Sequence, residues 1–129
     1  MDYLDHYKGN FRKDADKRNG HGGWIIGRFM ENHRQTQAVA VKYWEFKKGE
    51  EKKHTTKFEL HAFECDLILE GKVKGHIDYK EIVLEKGDYV VIPPNVKSNL
   101  IQKVLSDRVK GLTIKAPSLS AEDSVKLPN

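Results

Sequence analysis

The stretch "EKGDYVVIPPNVKSN", residues 85–99, decides how the rest of the chain reads. A charged turn around Gly87 leads into the β-branched and aromatic run "YVVI", which stops at two prolines. Proline has a fixed φ and no amide proton, so Pro93 ends ladder pairing and terminates a strand. Gly87 suits a turn that needs positive φ. Asn95 follows the prolines, and asparagine tolerates the left-handed conformation better than most residues. A short strand cut off this sharply belongs to a small sheet structure with abrupt corners.

The same punctuation recurs outward. "GWIIGRFM" (23–30), "AVAVKYWEF" (38–46) and "FELHAFECDLILE" (58–70) read as strands, the last long and bent. Gly71 closes a hairpin into "KVKGHI". "DYKE" turns into "IVLE", and "KGD" turns into "YVVI". "LIQKVL" and "VKGLTIKA" complete the set. About eight short strands with turn residues every 8–12 positions, and no long helical period, predict an all-β sandwich or barrel. Residues 1–22 are polar and read as a flexible N-terminal arm with a short helical turn. Residues 23–118 form the barrel, and 119–129 a loose C-terminal tail.

A chain of 129 residues fits one domain. No apolar run approaches the roughly 18–20 residues of a membrane span, and the first residues lack a secretory apolar stretch. A lone cysteine, Cys65, makes no internal disulfide, which points to a reducing cytoplasm. The net charge of +4 suits ordinary solubility or an anionic ligand. No nucleic-acid-binding motif is present, so nucleic acid is not an expected partner.

From about Glu45 to Asn99 the sequence resembles the cupin family. Glu64, six residues and Gly71 match the second half of the first cupin motif. Gly87, five residues, Pro93, Pro94, Asn95, two residues and Ser98 fall in the register of the second, with Asn95 for a glycine and Ser98 for a histidine. The resemblance covers residues 23–118 and implies a double-stranded β-helix, a jelly-roll barrel. It points to a small single-domain subgroup with degenerate metal motifs. Typical cupins hold a divalent metal with two histidines and a glutamate from the first motif and a histidine from the second. Here the glutamate is Glu64, the second-motif histidine is Ser98, and the first-motif histidines fall in Lys57–Leu60, where none is histidine. The expectation is a barrel without metal or other cofactor.

Strand parity puts Glu64, Asp66 and Ile68 on one face and Phe63, Cys65, Leu67 and Leu69 on the other. The resemblance makes the first face the lumen. The second, being apolar, is expected to pack against neighbouring structure, with Cys65 as a small buried hydrophobe. Lys42, between Val41 and Tyr43, is an odd strand residue unless it faces a polar cavity. His54, Lys57 and His61 sit near the mouth, although His61 is out of phase with Glu64 on a regular strand. The candidate ligand set is therefore Lys42, His54, Lys57, His61, Glu64, Asp66 and Ser98. Such a lumen suits a small polar or anionic metabolite, nucleotide-like in one version, held by a sensor, carrier or sequestering protein. The alternative is an enzyme, either a metal-free acid/base isomerase or epimerase or a metal-dependent oxygenase. The apolar strand near the chain start suggests a homodimer.

Overall fold

A computed structural model describes residues 6–15 and 22–128. The arm expected over residues 1–22 therefore lies partly outside the described residues. Within it, Phe11–Asp14 form one helical turn (α1), capped by Asn10, whose side chain accepts from the amides of Arg12 and Lys13. Phe11 lies against Tyr43, ring centroids 4.5 Å apart.

Among the described residues ten strands follow: β1 (Trp24–Ile26), β2 (Ala40–Lys47), β3 (Lys57–Glu59), β4 (Phe63–Glu70), β5 (Lys72–Ile77), β6 (Lys80–Glu85), β7 (Tyr89–Ile92), β8 (Ser98–Val104), β9 (Arg108–Ala116) and β10 (Ser124–Lys126). They form two antiparallel five-stranded sheets, ordered β1-β2-β9-β4-β7 and β10-β3-β8-β5-β6. After β2 the chain crosses from one sheet to the other at nearly every connection. The β5–β6 hairpin is the exception, turning through Asp78 and Tyr79, both at positive φ. This is the all-β jelly roll that the turn spacing predicts.

Three details differ from the sequence reading. The run 58–70 is two strands: residues 60–62 carry the chain from β3 in one sheet to β4 in the other. Gly71 (φ 88°) does not close a hairpin but makes the next crossing, from β4 to β5. The C-terminal segment is not a loose tail over its whole length, because β10 pairs with β3, Val125 opposite Phe58. The corner residues behave as expected: β7 stops at Ile92 before Pro93, and Gly87 and Asn95 have φ of 93° and 67°.

Cross-strand register divides the inner face of the first sheet into rows. Ala40, Lys115, Glu64 and Ile92 lie side by side, then Lys42, Thr113, Asp66 and Val90. Trp44, Gly111 and Ile68 form the third row, and Phe46 and Val109 the fourth. Polar chemistry thus gathers in the first two rows. The last two join Val73, Leu84, Leu100 and Val104 in the hydrophobic core. The barrel is plugged with apolar side chains at one end and hollow at the other.

The opposite face of β4 does not find the packing expected of it. It is the outer surface of the first sheet, and no third layer covers it among the described residues. Phe63 is 52% exposed, and its neighbours Val91 and Tyr89 on β7 are 57% and 66% exposed. Cys65 is only half-buried there.

Gly111 lets Trp44 lie flat on the sheet: a Cβ at position 111 would collide with the Trp44 ring and come within 2.7 Å of the Leu67 carbonyl oxygen. Gly111→Ala should cost about 1–3 kcal/mol through overpacking and shift the tryptophan emission. Denaturant unfolding followed by fluorescence measures both, and an unchanged stability and spectrum would show that Trp44 does not depend on this glycine.

Candidate functional site

The hollow end is a cavity of about 710 Å³. Trp24, Trp44 and Phe46 form an aromatic wall, and Lys57, Glu64 and Asp66 are among the groups of its charged floor. Glu64 and Asp66 are 5% and 3% exposed, as their shared inward parity requires.

Lys57 is the hub of the floor. β3 presents it from one sheet toward β4 in the other. Its Nζ lies 2.5 Å from Glu64 Oε1 and 3.3 Å from Glu59 Oε2. Lys115 Nζ binds the other Glu59 oxygen at 2.7 Å. Burial works against the charge on Lys57, but Glu64 and Glu59 outweigh it and raise its pKa above the ordinary lysine value.

Asp66 is in the opposite situation. Burial, the hydrogen bond with Glu64 and the Glu64 charge hold its carboxyl well above the usual carboxylate range. Burial also favours the neutral form of Glu64. There the bond from Asp66 and the Lys57 ammonium prevail, and Glu64 is held below the usual range. Two carboxyls in contact do not both ionise cheaply, so the pair titrates as a unit, with Asp66 the member whose ionisation is disfavoured. Asp66 Oδ2 is buried and finds no donor. Asp66 Oδ1 accepts from the Thr113 hydroxyl at 2.5 Å, and Thr113 in turn accepts from Trp44 Nε1 at 2.9 Å. A relay therefore runs from the aromatic wall to the charged floor.

His54, just before β3, lines the cavity as expected. It is half-buried, edge-on to Phe46, with Nδ1 2.8 Å from Asn99 Oδ1. Asn99 Oδ1 also accepts from the Ile101 amide at 3.2 Å, and its Nδ2 donates to the His54 carbonyl at 3.5 Å, which fixes the amide orientation. An oxygen at Nδ1 makes Nδ1 the protonated nitrogen and leaves the lone pair on Nε2. Burial lowers the His54 pKa more than the Asn99 bond raises it, so the ring is neutral.

Of the seven candidates, Lys42, His54, Lys57, Glu64, Asp66 and Ser98 line one cavity. Lys42 also lies over the Trp24 ring, 5.2 Å from its centroid. Lys57 is deeper than the rim position expected of it. His61 is not brought into the group. Its side chain is 76% exposed and binds Asp123 across the 60–62 crossing, 2.8 Å from Nδ1 to Oδ1. Residues not singled out from the sequence are Glu59, Lys115, Thr113 and Asn99. One signal was available for two of them: in "GLTIK", Thr113 and Lys115 alternate with the apolar Leu112 and Ile114, a polar inner face.

The donor set does not fit the metal that the fold implies. A divalent ion needs imidazole or carboxylate donors converging on it. Here an ammonium stands between the carboxylates, and Ser98 offers a hydroxyl. Among the described residues no group of three or more His, Cys, Asp or Glu side chains could hold an ion.

The raised pKa of Asp66 has a consequence for stability. Above the unfolded-chain value of about 3.9 for aspartate, the folded chain keeps a proton that the unfolded chain has released. Stability contributed at Asp66 is therefore fully present below that value and is lost as pH rises toward the raised native value. Asp66→Asn keeps both an acceptor for Thr113 and a donor for Glu64, with no proton to lose. It should be more stable than wild type at pH 7, with the gap closing toward pH 4, in urea titrations across that range. A gap that stays constant with pH would mean Asp66 is ionised.

Neither a protein-family model nor a curated protein matches the sequence. Solved structures do. Pac13 of Streptomyces, described as a nucleoside dehydratase and solved with uridine, is 13% identical over 95% of this chain and 90% of that chain, with a TM-score of 0.68. A double-stranded β-helix protein from Klebsiella pneumoniae is 16% identical over 95% and 100% of the two chains, with a TM-score of 0.64. A cupin from Methanocaldococcus jannaschii is 25% identical over 64% and 73%, with a TM-score of 0.55. Two antiparallel sheets rolled into one barrel, with the motif residues at its corners, give this chain the double-stranded β-helix fold of the cupins.

Proposed function

We propose that the chain binds a small polar molecule of nucleoside or nucleotide character in its barrel cavity and does so without a metal ion. The observation that carries this reading is the two-part lining: an aromatic wall beside a buried floor of ion pairs and the buried Asp66 carboxyl. Stacking against Trp24, Trp44 or Phe46 suits a planar ring. The floor and Lys42 suit the polar edge of that ring or an attached anion. The volume of about 710 Å³ lies within the range of small-molecule sites. An ammonium has three N–H donors, and Lys57 donates two of them to Glu64 and Glu59. Its third is disposed to meet a ligand oxygen. The structural likeness to Pac13, which was solved with uridine, agrees with this class.

Such a protein acts as a sensor, carrier or sequestering factor. A second reading, catalysis, is favoured by one observation: a neutral His54 with its lone pair on Nε2 and an Asp66 carboxyl whose ionisation is disfavoured line the same cavity. That is an acid and a base without a cofactor. The exposed Phe63, Tyr89 and Val91 on the outer face support a homodimer, and the single cysteine supports a cytoplasmic home.

Thermal-shift and calorimetric screening of the full chain against nucleosides, nucleotides and sugar acids tests the reading. At least one class should raise the melting temperature. Lys42→Ala should weaken that compound about tenfold, or 1.4 kcal/mol. A folded protein that responds to none of them sinks the proposal. Mass spectrometry of the incubated hit then separates the readings: turnover lost in His54→Gln with binding retained makes it an enzyme, and an unchanged compound makes it a binder.

A further inference from the structure

We propose that the Lys57 ammonium is a tethered internal cation standing where this fold gathers ligands for a metal ion, and that the site excludes divalent metals because that position is filled. Counting back from Glu64 with four intervening residues, the two histidine positions of the first motif fall on Lys57 and Glu59. Ser98 holds the position of the second-motif histidine, directly opposite Lys57 in the β3–β8 ladder. All four residues line the same cavity.

The geometry around Lys57 is that of an ion and its ligands. Glu59 approaches from one sheet and Glu64 from the other, at 3.3 and 2.5 Å from a single nitrogen. A carboxylate oxygen that accepts from an ammonium at hydrogen-bond distance has spent its best lone pair on it. The charge is also balanced. Lys57 and Lys115 supply two positive charges, and the carboxylates they bind, Glu59 and Glu64, supply two negative ones. A divalent ion added to this cluster would bring two uncompensated charges into a buried place, with a lysine as its nearest neighbour. It could enter only by expelling the ammonium, and the Ser98 hydroxyl is a poor return for that loss.

The inference has a constructive consequence. Remove the tethered cation, and the carboxylates should recruit one from solution. Its failure is separable from that of the ligand reading, because it concerns metal uptake and needs no organic ligand.

The experiment uses the tag-free full chain as wild type, Lys57→Met, and the double variant Lys57→His/Ser98→His. Each is dialysed against Mn²⁺, Ni²⁺ or Zn²⁺. Metal content is read by mass spectrometry, folding by far-UV circular dichroism, and melting temperature with and without metal. Wild type should hold no stoichiometric metal, and its melting temperature should not respond. Both variants should take up close to one ion per chain and melt higher with metal, since an ion that binds only the folded state stabilises it. Where a variant does not fold alone, refolding with metal serves as the readout, and rescue supports the inference. Wild type carrying one ion per chain that Glu64→Gln removes would overturn it. So would a failure of both variants to take up metal, whether folded or refolded in its presence.

Discussion

The contact of Lys57 with Glu59 and Glu64 is the constraint on which the rest of the barrel interior depends. Each partner is expensive to bury alone, since taking a carboxylate or an ammonium out of water costs several kcal/mol even after relaxation. The three are tolerable only together. β3 carries Lys57 and Glu59 in one sheet, while β4 carries Glu64 in the other. The charges therefore converge only when the two sheets face each other at the right spacing. Ion pairs of this kind are weak evidence for net stability and better evidence for a specified geometry. Here they fix the spacing of the two sheets at the hollow end.

The hollow end owes its existence to the plugged one. Trp44, Ile68, Val73, Val104 and Val109 fill the far half of the lumen, and that burial is where an apolar driving force resides. With one half packed, the other can be given over to groups that a core would reject. Trp44 belongs to both halves. Its ring lies on Gly111 among the core rows, while its Nε1–H reaches Thr113 in the polar row. It is the point at which packing sets the position of a hydrogen-bond donor.

How much of this could be read from the sequence follows from how local each signal is. The inward pairing of Glu64 with Asp66 was legible, because strand parity needs only neighbours in sequence. So were Pro93, Gly87 and Asn95, since each sets its own backbone conformation. The depth of Lys57 was not. "FELHAFECDLILE" reads as one strand, and only a crossing at residues 60–62 puts Lys57 in the sheet opposite Glu64. His54 was singled out as a candidate, but not its partner: what holds its ring is Asn99, 45 residues further on. The role of Asp123 was hidden too: it accepts from the amides of His61 and Ala62 at the crossing, tying the C-terminal segment to the corner between β3 and β4. That the apolar face of β4 would stay uncovered was equally invisible, because alternation says which residues share a face and not what lies beyond it.

The coupling between Asp66 and Glu64 joins the structural argument to the functional one. Lys57 selects which carboxyl ionises, because it touches Glu64 and not Asp66. Asp66, its ionisation disfavoured by burial and by Glu64, is oriented by Thr113 and through it by Trp44. His54 reaches the same cavity as a neutral base, its proton committed to Asn99. Each group is thus biased in its protonation by a neighbour that does not itself titrate near neutral pH. A metal centre would impose such order through a divalent charge at one point. In this barrel a lysine, an amide and a hydroxyl distribute the same task over three strands and a loop, so the cavity can present donors, an acceptor and an aromatic surface to one guest.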